Sequence, residues 1–121
     1  MLESFRAFYR ELCDERDAVA AGALWATDED VVMVGSDATD ASFGSAAVRA
    51  HLAAIAAYPE QISFTWDDAP AHVEGDAAWV TARGTIVVGE RRSAYQSTGV
   101  FVRRGERWVW HTHSGSEPRP G

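Results

Sequence analysis

Residues 107–118 read RWVWHTHSGSEP. Trp, Val, Thr and His in alternating positions are the pattern of a β-strand. Strict alternation puts Trp108, Trp110, Thr112 and Ser114 on one face. Val109, His111 and His113 then lie on the other. Both imidazoles would share one environment and could hold one ion. A metal site needs a third ligand, such as His51, His72 or a carboxylate, and no spacing singles one out. No metal is therefore assigned. Two other readings stand beside it. One histidine could act as general acid/base or ligand anchor in a pocket. Both could equally be hydrogen-bonded strand residues at a pocket rim or a dimer face.

Working outward, the preceding residues continue the strand pattern. RGER at 104–107 is a hairpin turn, and AYQSTGVFVRR at 94–104 is the strand before it. DAAWVTARGTIVVG at 76–89 is a long strand, with a return over 90–93. QISFTWDDAPAHV at 61–73 alternates Ile62, Phe64 and Trp66 with Ser63, Thr65 and Asp67. The first half differs. Leu2, Phe5, Phe8, Tyr9, Leu12 and Val19 form an apolar stripe at helical spacing, which predicts a helix over about residues 2–19. AVAAGALWA at 18–26 is a second, short helical piece, with Leu24 and Trp25 tucked under the fold. The run Asp28, Glu29, Asp30 is turn and cap. VVMVG at 31–35 is a short strand leading to a turn, GSDATDAS. Ser45 is the expected N-cap of a helix over 45–58 that Pro59 stops. Helices early and hairpins late define an α+β domain.

Composition narrows the function classes. The chain has 121 residues, a size for one domain, here read as 1–118 with a tail at 119–121. Its net charge is -7, from 11 basic residues, all arginine, against 18 acidic ones. That balance repels phosphate backbones, so no nucleic-acid partner is expected. No apolar run approaches the ~20 residues of a membrane span. The single cysteine, Cys13, excludes an internal disulfide and suits a reducing, cytoplasmic compartment. No Gly-rich nucleotide loop, C-x-x-C or G-x-S-x-G motif is present, so no cofactor is expected.

The element order, the ALWATDEDVVMVGSD segment, GSAAVRAHL and the terminal RW-x-W-H-x-H-S strand together resemble the SnoaL-like branch of the nuclear transport factor 2-like superfamily. The resemblance spans about residues 2–118. It implies a cone: three N-terminal helices packed in a strongly curved mixed, mainly antiparallel sheet. It also implies a pocket at the open end and frequent dimerisation. That family includes isomerases, cyclases, dehydratases, epoxide hydrolases and non-catalytic binding domains, so fold does not give function. Its enzymes place a carboxylate, or a carboxylate–histidine pair, in the pocket. Tyr9 is similar in type to the tyrosine that isomerases use as an oxyanion donor. AYQSTGVFV carries no partnering Asp, which counts against steroid isomerisation.

The candidate catalytic residues are accordingly His111, His113, Tyr9 and Asp67. An acid beside Trp66 could have its pKa raised by desolvation. Trp25, Trp66, Trp79, Arg83, Tyr95, Phe101 and Trp110 are the expected ligand-binding walls. Arg83, amid Trp and Thr, needs a partner or an anionic ligand. His51, between Val48, Leu52 and Ile55, reads as an edge-of-core residue. Asp37 and Asp40 read as a solvated loop. Both faces of the strand from Asp76 are fairly apolar, which predicts a homodimer through sheet faces. Three functions follow: binding of a small organic molecule in an apolar pocket; a cofactor-independent isomerase, lyase or hydrolase using a pocket histidine and an acid; or a dimerisation module.

Overall fold

The computed structural model describes residues 1–37 and 39–119. The tail expected at 119–121 lies mostly outside them. Among the described residues, the chain forms three α-helices, one π-helical turn and seven strands.

Helix α1 spans Leu2–Tyr9 and runs into a π-helical turn at Arg10–Asp14. Phe5, Phe8, Tyr9 and Leu12 are buried, as the stripe predicts. The helix does not reach residue 19. Arg16 adopts a left-handed φ of 53°, and the Asp17 carboxylate accepts from Ala20 N at 2.9 Å, starting α2 at Ala18–Gly22. Val19 is 84 % exposed and belongs to no stripe. The short strand β1, Val32–Val34, pairs antiparallel with β2, Ala41–Phe43, where a turn alone was expected. Helix α3, Ser45–Ala56, is capped at Gly44 rather than Ser45, whose hydroxyl accepts from Arg49 instead.

The strand predicted over 61–73 is two strands. β3, Ile62–Asp68, and β4, Ala71–Glu74, both pair with β5, Ala77–Val88. Pro70, without an N–H, lies between them. β6, Arg91–Arg104, and β7, Arg107–Ser116, complete a meander. The sheet order is β2-β1-β7-β6-β5-β3. The β1–β7 pair is parallel and the others antiparallel. The three helices pack against this mixed, mostly antiparallel, curled sheet.

β5 shows how the sheet divides core from water. Ala78, Val80, Ala82 and Ile86 are buried on its inner face. Trp79, Thr81 and Arg83 are exposed on the other. β7 departs from that regularity. Val100 pairs with Thr112, but Phe101 pairs with Trp110, so His111 is an extra residue in a β-bulge. The bulge resets the alternation. Trp110 and His113 therefore share the inner face, with ring centroids 5.7 Å apart. The expected separation of a Trp face from a His face does not hold.

Trp110 is the centre of the core. It stacks on Phe5 at 5.5 Å and on Trp25 at 5.8 Å, and packs on Phe8 at 4.8 Å and Phe101 at 4.6 Å. Its indole N–H donates to Ser4 O at 3.1 Å. Gly99 on β6 makes room for it: a Cβ there would stand 2.6 Å from the indole. Truncating a fully buried Trp costs about 3–5 kcal/mol. Trp110→Ala is expected to lose that much in urea unfolding, whereas Thr81→Ala on the outer face stays within about 0.5 kcal/mol.

Candidate functional site

Between the helices and the inner sheet lies a cavity of about 670 Å³. Phe8, Tyr9, Leu12, Met33 and His113 are among its buried lining residues. Its open side is marked by exposed Ser36, Asp37, Tyr58 and Arg91.

The deep polar group is a chain of three side chains. His113 Nδ1 lies 3.2 Å from Val34 O, and its Nε2 lies 2.9 Å from Tyr9 Oη. Tyr9 Oη is 2.6 Å from Ser97 Oγ. All three residues are buried. A carbonyl can only accept, so Nδ1 carries the proton and Nε2 of the neutral ring is a lone pair. Tyr9 must then donate to Nε2, and Ser97 must donate to Tyr9. Burial pushes the His113 pKa down to about 4, so the ring stays neutral at pH 7. Burial, with Tyr95 nearby, pushes the Tyr9 hydroxyl well above its ordinary value. The Tyr95 phenol and the Cys13 thiol, both lining the cavity, are pushed up by burial to about 12. Cys13 is thus an inert thiol.

The second polar group sits nearer the opening. His51 on α3 places Nδ1 3.0 Å from Ser42 Oγ on β2. Its Nε2 is 3.7 Å from Asp40 Oδ1. The β1–β2 hairpin builds this pair. Gly35 N donates to Asp40 O at 2.7 Å, and a Cβ on Gly35 would crowd Asp40 Oδ2 to 2.8 Å. Glycine at 35 lets the carboxylate lie over the turn. At the rim, Glu117 accepts from Arg91 at 2.8 Å and from Ser36 at 3.0 Å. Partial burial works against its charge, but these hydrogen bonds prevail and hold its pKa below the ordinary value.

Of the expected site residues, Tyr9, His113 and Tyr95 line this cavity. The others do not. His111, the bulge residue, points away and meets Asp30 at 3.1 Å and Thr112 at 2.8 Å. Asp28 joins it and Asp30 in a group whose candidate ligand atoms lie within 4.8 Å of one another. Asp28 is already paired with Arg104 at 2.6 Å. Asp67 is exposed at a bulge in β3. Trp79 stacks on His72 on the outer face, and Arg83 there pairs with Asp68 at 2.6 Å. Trp25, Phe101 and Trp110 belong to the core. Trp66 lines a separate cleft of about 120 Å³. His51 and Asp40 are the residues that sequence reasoning undervalued. Their signal was faint: one histidine on an apolar helix and one acid in a loop.

No curated protein matches the chain in sequence. The SnoaL-like domain family profile matches residues 2–120, and the chain belongs to that family. Among solved structures it is similar to a candidate dehydratase of the NTF2-like family from Streptomyces avermitilis. The two share 26% identity, with 97% of this chain and 92% of that one covered and a TM-score of 0.87. A candidate calcium/calmodulin-dependent protein kinase type II association domain, from Thiobacillus denitrificans, matches at 21% identity. It covers 96% and 93% of the two chains, with a TM-score of 0.79. A candidate scytalone dehydratase from Novosphingobium aromaticivorans matches at 14%, covering 98% and 85%, with a TM-score of 0.77. The last two show the fold alone. Among the described residues, no helix is long and apolar enough to cross a membrane.

A neutral buried histidine links stability to pH. His113 has a folded pKa of about 4 against an ordinary 6.5. Below about pH 6.5 the unfolded chain binds a proton that the folded chain refuses, so stability is full above that value and falls toward pH 4. From about pH 6.5 to pH 5 the expected loss is roughly 1.5 kcal/mol in urea unfolding, and His113→Gln removes this slope. In ¹⁵N NMR of the unsubstituted protein at pH 7, His113 is expected as the Nδ1–H tautomer.

Proposed function

We propose that this SnoaL-like domain binds a small, ring-bearing, hydroxylated molecule in the cavity and catalyses loss of water without a cofactor. The observation that carries this reading is the Asp40–His51 pair facing the cavity beside aromatic walls. The gap of 3.7 Å between His51 Nε2 and Asp40 Oδ1 exceeds a hydrogen bond. A ligand hydroxyl donating to Asp40 Oδ1 at about 2.8 Å would stand beside the Nε2 lone pair of His51. The similarity to a candidate dehydratase at 26% identity supports the same class.

In this mechanism His51 takes a proton from the carbon next to a ring carbonyl. The C–H electron pair becomes the new double bond as the C–O bond to the β-hydroxyl breaks. The same imidazolium returns its proton to the departing hydroxyl, which leaves as water. The step is redox-neutral. Asp40 stabilises the transient imidazolium, and Ser42 fixes the ring. Tyr9, held by His113 and Ser97, orients the far side of the ligand through its remaining lone pair.

Turnover can be followed by the absorbance of the enone formed from a panel of β-hydroxy cyclic ketones. His51→Gln is expected to lower it at least about 100-fold, and Asp40→Asn about tenfold, with the unfolding midpoint preserved. Dehydration retained in His51→Gln would sink the mechanism.

Ligand binding without turnover is the second reading. It is favoured by the Ser97–Tyr9–His113 chain, whose hydrogen bonds close within the protein. A homodimer through the outer sheet face fits the exposed Trp79, and a monomer in sedimentation equilibrium at micromolar concentration would count against it. The lone, buried Cys13 fits a reducing cytoplasm. We read 1–118 as a single domain.

A further inference from the structure

We infer that the cavity, with an acceptor at its floor and a net negative rim, selects a protonated amine on an aromatic or alicyclic ring over carboxylates. This rests on the reading of the cavity as a ligand site and names the ligand's charge.

Two independent observations lead to it. The first is the direction of hydrogen bonding at the deep end. Val34 O compels a proton on His113 Nδ1, which leaves Nε2 to accept from Tyr9 Oη. The one phenolic proton is thereby spent on the protein. Ser97 occupies one lone pair of Tyr9. What Tyr9 has left for a ligand is an acceptor. A ligand oxyanion would meet no free donor at Tyr9, unlike in the isomerase-type arrangement that the tyrosine suggests by its residue type.

The second observation is charge at the rim. Asp37, Asp40 and Glu117 line the cavity, against one guanidinium, Arg91. Arg91 is bound at 2.8 Å to Glu117, so these two cancel. Asp37 and Asp40 remain. One of them, Asp40, is offset when His51 is protonated. In either state of His51 the lining is net negative, with His113 neutral. Aromatic faces complete an environment for an organic cation: Phe8, Tyr9, Phe64 and Tyr95 all line the same space. A carboxylate there would meet repulsion at the rim and an acceptor at the floor.

Isothermal titration with three probes of one ring size separates the outcomes: 2-naphthylmethylamine, 2-naphthol and 2-naphthoate, at neutral pH and low salt. The amine is expected to bind at least about tenfold more tightly than the naphthoate, with the naphthol between them. Added NaCl should weaken the amine most. Asp37→Asn, outside the Asp40–His51 pair, should lower the amine preference severalfold, leaving naphthol affinity within about twofold. Naphthoate binding as tightly as the amine would overturn the charge selection while leaving the cavity a ligand site. Binding of none of the three would overturn both.

Discussion

The extra residue at His111 governs how the last strand serves both core and cavity. Without it, alternation along β7 would send Trp110 and His113 to opposite sides of the sheet. With it, the indole fills the space between Phe5, Phe8, Trp25 and Phe101, and the imidazole follows on the same face. β1 then pairs in parallel beyond the bulge, with Met33 opposite His113. That pairing brings the Val34 carbonyl to His113 Nδ1. A single insertion in the ladder thus sets the packing of the core, the tautomer of a buried histidine and the direction of the hydrogen bonds behind the cavity.

The two histidines of the cavity have different chemical characters for physical reasons. His113 is desolvated and held by a carbonyl acceptor, which keeps it neutral and committed to one tautomer. His51 lies closer to the opening, beside a carboxylate at a distance longer than a hydrogen bond. In the proposed dehydration, the proton carrier needs access and a stabiliser for its charged form, which His51's place near the opening beside Asp40 would supply. A fixed, neutral ring is better suited to orienting a ligand. The division follows from burial and partners, not from residue type.

Much of the architecture was legible in the chain. The apolar stripe of Phe5, Phe8, Tyr9 and Leu12 marked the first helix, and regular alternation marked β5 and β6. The same local rules failed where a backbone detail intervened. Arg16 in a left-handed conformation ended the first helical run early, and Pro70 marked the break between β3 and β4. A bulge separated His111 from His113, and Asp67 stands exposed at another. A period-2 argument has no means of detecting an inserted residue, because the composition on either side is unchanged.

The sequence by itself determined an α+β order, with helices first and a meander after, because hydrophobic periodicity is a local property of the chain; the SnoaL-like cone was implied by the resemblance that its element order and motifs carry. The sequence also marked Tyr9, His113 and Tyr95 as residues of interest. Only the tertiary structure joined Asp40 and Ser42 from the hairpin to His51 on α3, and Tyr9 to residues 88 and 104 positions away. It moved Trp79 and Arg83 to the outer face and Trp25, Phe101 and Trp110 into the core. Function-bearing proximity of this kind is non-local: it arises from strand register and helix docking, which bring together residues that no spacing along the chain connects.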